Sequence, residues 1–268
     1  MPFAATNGIN TYYEEVGSGP ALLLIAGNGM DHTTFHEQVP RLSEHFRCIT
    51  YDLRGIGRSD VPDGGYSTPE MARDALALLS ALGIDAAHVA GYSLGGAIGQ
   101  EMAIAEPQRV RSLSLYATFD RPEPYLRLRY DLLLSILVDT TPDLWARFTA
   151  FSAFGEAYIN EHWEEVRAEI GRRHARWLGP AAPSKVGLAG HYRAILDHDA
   201  ADRLDRIRCP TWIAVGDQDP VTPVAYSKRL HERIEGSELA VFPGKPHRLL
   251  NFQAEDFSRM AAEFLLRQ

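Results

Sequence analysis

The sequence predicts an α/β fold in which a mostly parallel sheet is flanked by helices and carries a helical insertion. Three observations predict it. Six short apolar runs of strand length are spaced along the chain, helical patterns lie between the early runs, and the alternation stops at 120 and resumes after 206. The chain divides accordingly into a first core segment, 1–119, a helical insertion, 120–206, and a second core segment, 207–268.

The opening segment "INTYYEEVGSGP" alternates and closes in a Gly-Pro turn, which predicts an antiparallel strand at the sheet edge. The runs "ALLLIAG" (21–27), "FRCITYD" (46–52), "AAHVAGY" (86–92), "VRSLSLYA" (110–117), "TWIAVGD" (211–217) and "ELAVFPG" (238–244) have the length and content of buried strands. Between them, "TTFHEQVPRLSEHF" predicts a crossover helix opened by a capping box from Thr34 to Glu37. A second crossover helix, "STPEMARDALALLSALG", has Ser67 or Thr68 as its cap, Pro69 in its first turn and Gly83 beyond its end. From Asp120 to Arg206 the patterns are helical, and three of the four tryptophans, Trp145, Trp163 and Trp177, fall there. Phe148, Phe151 and Phe154 follow Trp145 at spacings of three, an aromatic face expected to pack the insertion on the core and to roof a pocket. That predicts a small to medium, apolar or aromatic substrate.

The formal net charge of -8, from 35 acidic and 27 basic side chains, excludes nucleic acid as an expected partner, because a phosphate backbone requires clustered positive charge. The start, "MPFAATNGIN", has no basic segment leading into an apolar one, and no apolar run is long enough to span a bilayer, so no membrane association and a cytoplasmic location are expected. Cys48 and Cys209, each in a strand-like setting, are expected as two unpaired buried thiols. "GIGRSD" and "GNGMDH" lack the spacing of a dinucleotide fingerprint, and "DHDAADRLD" lacks the glycine and glutamate of a calcium loop. No cofactor and no metal are expected; a homodimer is left open.

One stretch carries chemistry. In "HVAGYSLGGAIG" a strand over 86–91 turns through Ser93 into a helix over 94–105 that ends at Glu106-Pro107. So sharp a reversal strains its central residue and requires small neighbours two positions away, which Gly91 and Gly95 supply. The turn lifts the Ser93 hydroxyl clear of the backbone and aims the helix N-terminus at the same point, making the Leu94 N–H an oxyanion donor. A nucleophilic serine needs a base and an orienting acid. His247, in "FPGKPHRLLNF", follows the last strand run, and Asp219, in "VGDQDPVTP", follows the one before it. All three residues lie where open α/β sheets place their sites, beyond the C-terminal ends of strands. Asp217 and Asp120 are local rivals for the acid. Asp31 and His32 are read as opening a helix, and Arg54 and Arg58 as tying down the loop after the fourth strand.

With "YDLRGIGRSD", "GYSLGG", "GDQDPVTP" and "GKPHRLL" in this order, the chain resembles the α/β-hydrolase-fold serine hydrolases from end to end. The segment "HYRAILDHDAADRLDRIRCPTWIAVGDQDPVTP" is similar to 3-oxoadipate enol-lactonases and to the small hydrolase of bacterial pyrimidine degradation. The resemblance implies an eight-stranded, mostly parallel sheet with a helical cap, and its Gly-x-x-Asp spacing from Gly216 selects Asp219 as the acid. It also implies the Asn28 N–H as second oxyanion donor, although Ala26-Gly27 stands where the family often has His-Gly. Lys-Pro-His before the base differs from the common Gly-His and is similar to the loop of cofactor-free haloperoxidases.

The expected function is that of an enzyme, a carboxylesterase or lactonase acting on a small-molecule substrate through a Ser93–His247–Asp219 triad and an acyl-enzyme. The alternatives on the same fold are a carbon-carbon bond hydrolase, a hydroxynitrile lyase, a perhydrolase and a non-enzymatic lactone receptor.

Overall fold

The computed structural model describes residues 2–179, 182–250 and 254–268. An edge hairpin of β1 (Phe3–Thr6) and β2 (Ile9–Val16) leads into β3 (Ala21–Ile25), α1 (Val39–Leu42), β4 (Arg47–Tyr51), α2 (Thr68–Ala81), β5 (Ala87–Tyr92), α3 (Leu94–Ala105) and β6 (Val110–Tyr116). Five helices follow: α4 (Pro124–Leu137), α5 (Pro142–Phe154), α6 (Glu156–Glu161), α7 (Trp163–Leu178) and α8 (Lys185–Asp197). The sheet resumes with β7 (Thr211–Gly216), α9 (Val224–Arg233) and β8 (Glu238–Phe242), and α10 (Ala254–Leu265) closes the chain. The eight strands run in the order β1-β2-β4-β3-β5-β6-β7-β8, with β2 antiparallel to both its neighbours and every other pair parallel.

The central strands read as unbroken apolar runs because both of their faces are covered. Leu23 and Ile25 point with Val89 and Leu115 into the layer of α2 and α3, against Met71, Leu79 and Ile98. Leu22 and Leu24 point the other way, with Ala90 and Trp212, against Phe257 and Phe264 of α10. Period two thus sends alternate residues to opposite cores. The second crossover helix begins as predicted, with the Ser67 side chain accepting from Glu70 N and Gly83 at φ +68° beyond the end.

Several expectations need correction. The edge is β1 rather than β2, which lies between β1 and β4. The first crossover is a 3-10 turn, His32–Phe35, and the four-residue α1, in place of one helix. Pro40 has no N–H for a continuing ladder and suits only a first turn, so a new helix starts beside it. The cap of the 3-10 turn is Asp31, whose carboxylate accepts from Thr33 N at 3.0 Å, and not a box from Thr34 to Glu37. Both cysteines are free, but Cys209 is only half-buried and precedes β7. Trp145 is buried and Phe148 packs partly against the main core, whereas Phe154 joins a separate small cluster and Phe151 is 71% exposed. The four aromatics therefore form no single face. No helix among the described residues is long and apolar enough to cross a membrane.

Candidate active site

Ser93 sits between the last residue of β5 and the first of α3 at φ 54° and ψ -115°, a positive φ that side chains rarely accept. The strain is held from several sides. Ser93 N donates to the Tyr116 carbonyl at 2.8 Å, and the Ser93 carbonyl accepts from Thr118 Oγ1 at 2.7 Å and Gly96 N at 2.9 Å. A Cβ at Gly91 would lie 2.2 Å from the Gly95 carbonyl oxygen, and one at Gly95 would lie 2.2 Å from the Ile25 carbonyl oxygen. Only glycine allows β5 to turn this tightly into α3 while α3 rests on β3.

His247 and Asp219 converge on that serine from the loops after β8 and β7. His247 Nε2 is 3.2 Å from Ser93 Oγ, and His247 Nδ1 is 2.7 Å from Asp219 Oδ2. An ionised carboxylate only accepts, so Nδ1 carries the proton and Nε2 presents its lone pair to the serine hydroxyl. Asp219 is fixed in turn: Oδ1 accepts from Val221 N at 2.7 Å and Thr222 N at 2.8 Å, and Oδ2 accepts from Thr222 Oγ1 at 2.9 Å. The Tyr92 hydroxyl donates to the His247 carbonyl at 3.0 Å, pinning the loop that bears the imidazole. All three residues are buried.

Ser93 and His247 open on a cavity of about 300 Å³. Asn28 lines the same cavity, its side-chain oxygen accepting from the Tyr130 hydroxyl at 3.3 Å. The Leu94 N–H belongs to the first turn of α3, where no intrahelical acceptor exists. The next amide of the loop after β3, Gly29 N, donates to His191 Nδ1 at 3.2 Å, and His191 Nε2 donates to the Arg54 carbonyl at 2.9 Å. Burial pushes the His191 imidazole down to about 4, so it stays neutral and can serve as both donor and acceptor.

The rival acids are engaged elsewhere. Asp217 accepts from Gly244 N at 2.7 Å, and Asp120 is paired with Arg229 at 2.6 Å. Arg54 makes a buried two-pronged contact with Asp74 at 2.5 and 2.6 Å, and Arg58 donates to the Tyr12 hydroxyl at 2.6 Å. His32 is held by Asp52 at 2.8 Å, while Asp31 both caps its turn and lines the cavity. Among the described residues no cluster of three or more His, Cys, Asp or Glu side chains is arranged to hold a metal ion.

Sequence reasoning missed the opposite wall. Arg129 of α4, Arg172, Arg173 and Arg176 of α7, and Arg248 beside His247 all line the cavity, with Glu169 and Asp31 as its carboxylates. Glu169 accepts from Arg172 Nε and from Arg173 Nε, each at 2.9 Å, and lies 3.7 Å from Arg248; Asp31 lies 3.0 Å from Arg176. Burial would raise the Glu169 carboxyl, but the charges of Arg248 and Arg173 outweigh it and hold it below the usual carboxylate range. The signal was present: in "EIGRRHAR", Glu169, Arg172, Arg173 and Arg176 fall at helical spacings that share one face. The same wall also carries the aromatic side chains of Tyr130, Trp145, Trp177 and Tyr192.

Comparison with known proteins supplies the context for this geometry. The model of the alpha/beta hydrolase fold family matches residues 20–250. Over 264 residues, 98% of each chain, the sequence is 31% identical to a protein of Azorhizobium caulinodans named "Putative carbamate hydrolase RutD". The fold superposes with a TM-score of 0.87 on a hydrolase from Pseudomonas aeruginosa that is 31% identical, covering 98% of this chain and 97% of that one. An esterase from Exiguobacterium antarcticum is 25% identical with a TM-score of 0.86, covering 98% of both chains.

Proposed function

The chain belongs to the alpha/beta hydrolase fold family, a family of hydrolases, and from that premise we propose that it cleaves a carboxylic ester or lactone through an acyl-enzyme on Ser93. The observation that carries this reading is the continuous relay from Ser93 Oγ through both ring nitrogens of His247 to Asp219, opening on a cavity. His247 Nε2 takes the hydroxyl proton as Ser93 Oγ attacks the carbonyl carbon. The oxyanion that forms is received by the Leu94 and Asn28 N–H groups, where charge appears only in the transition state. His247 returns the proton to the departing oxygen, leaving an acyl-enzyme. Water then attacks, giving one proton to His247, and collapse restores Ser93–OH and releases the acid. Asp219 keeps the imidazole in the required tautomer throughout. The helices between β6 and β7 act as a cap over the cavity, and their aromatic side chains hold the apolar body of the substrate.

The test is turnover of 4-nitrophenyl esters of increasing acyl length by the wild type and by Ser93→Ala. Loss of turnover in a folded Ser93→Ala protein supports the reading, and the preferred length measures the pocket. Equal turnover by the variant sinks it. Carbamate cleavage is the second reading, favoured by the likeness to the Azorhizobium protein. Faster turnover of a 4-nitrophenyl carbamate than of any ester would select it.

A further inference from the structure

Guanidinium groups outnumber carboxylates on the wall of the cavity, five against two, in a chain whose formal net charge is -8. On the exposed faces of α5 and α7, arginines pair singly, Arg147 with Asp143 and Arg167 with Glu164. Inside the cavity the stoichiometry reverses: Glu169 alone faces Arg172, Arg173 and Arg248. Burial first, and then the neighbouring Arg248 charge, press the Arg173 guanidinium below its ordinary value against the pull of Glu169. Among the described residues, carboxylates therefore balance the cavity's positive charge only in part. In addition, Nε of Arg129 and Nε of Arg176 are buried and find no hydrogen-bond acceptor among the described residues. Buried donors without acceptors are costly, and a ligand that brings two oxygens in one plane meets the guanidinium fork.

This basic surface adjoins the proposed chemistry. Arg248 directly follows His247, and the charges of Arg248 and Arg173 both reach the Tyr92 hydroxyl, which donates to the His247 carbonyl. We propose that the substrate is an ester or lactone that itself bears a carboxylate, held by Arg173, Arg176 and Arg248 while Ser93 attacks its carbonyl. The inference rests on the serine-hydrolase reading for the reaction, but its ligand chemistry can be tested separately.

Two substrate pairs test it at low ionic strength. Mono-4-nitrophenyl glutarate against 4-nitrophenyl valerate places the carboxylate on the acyl side. Sodium 4-butyryloxybenzoate against its methyl ester places it on the leaving side. The expected result is a kcat/KM ratio of anionic to neutral ester above about tenfold in at least one pair, falling as salt is added. Arg173→Met should lower that ratio by roughly ten- to a hundredfold, with partial recovery in Arg173→Lys. Arg176→Met provides a second reading should Arg173→Met not fold. An enzyme active on the neutral esters with ratios at or below unity in both pairs would overturn the inference and leave the serine hydrolase intact. A ratio unmoved by both arginine variants would also overturn it.

If no ester is turned over, the serine reading fails, and quenching of Trp145 and Trp177 fluorescence by glutarate decides the anion site. Saturable quenching that is lost in Arg176→Met upholds the site, and none in the wild type removes it.

Discussion

The two walls of the cavity are built by different means. On the sheet side, Ser93 and Asp219 are placed largely by backbone: a strained φ of 54° at Ser93, glycines that admit no Cβ, and amides that clamp the Asp219 carboxylate, which in turn holds the His247 imidazole. On the helical side, the groups are long side chains placed by one another, with Arg172 and Arg173 on Glu169 and Arg176 on Asp31. Backbone placement tolerates almost no substitution and leaves a spacing motif in the sequence. Side-chain placement tolerates much and leaves only composition on a helix face. On the proposed function, the difference assigns reaction type to the first wall and substrate choice to the second.

The largest effect belongs to the first wall. Asp219→Asn is expected to lower kcat by about 10⁴-fold, because the amide lets the imidazole settle in the wrong tautomer. The loss should be equal for anionic and neutral esters, and a loss confined to one class would erase the distinction between the walls. Next comes Gly95→Ala, whose added Cβ meets the Ile25 and Ala26 carbonyl oxygens at 2.2 and 2.7 Å. Neither backbone can retreat without disturbing β3, so a loss of about 3 kcal/mol is expected in urea unfolding. Unchanged stability would mean that the elbow is looser than its geometry implies.

The sheet wall was legible because its requirements are local in sequence. "GYSLGG" announces a tight strand-to-helix turn, and Asp219 and His247 each follow a recognisable strand. The edge position of β1 was not legible, since four residues with a single fully buried side chain, Thr6, carry little pattern. The break at Pro40 lay inside a stretch read as one helix from a capping box at Thr34 and Glu37 that the structure does not form. The arginine wall was missed for a physical reason: charges on a helix ordinarily face water, and only tertiary folding turned this face toward a cavity. The triplet of Phe148, Phe151 and Phe154 failed conversely, because a spacing of three advances 300° per step and spreads aromatics around the helix rather than aligning them.

The smallest expected effect, read per pH unit, lies at the seam between the walls, where His191 of α8 accepts from Gly29 N and donates to the Arg54 carbonyl. Burial lowers its folded value to about 4, against 6.5 in the unfolded chain, so the unfolded state takes up the proton first as pH falls. Stability contributed by the neutral ring is complete above 6.5 and is lost progressively down to about 4. Buried His198, lowered to about 3, adds a parallel contribution, so only a difference between variants isolates the seam. His191→Gln retains one acceptor and one donor but cannot titrate. Its unfolding free energy, measured in urea across this window, should climb with pH less steeply than that of the wild type by about 1.4 kcal/mol per pH unit. Parallel slopes would show that His191 exchanges its proton equally in both states.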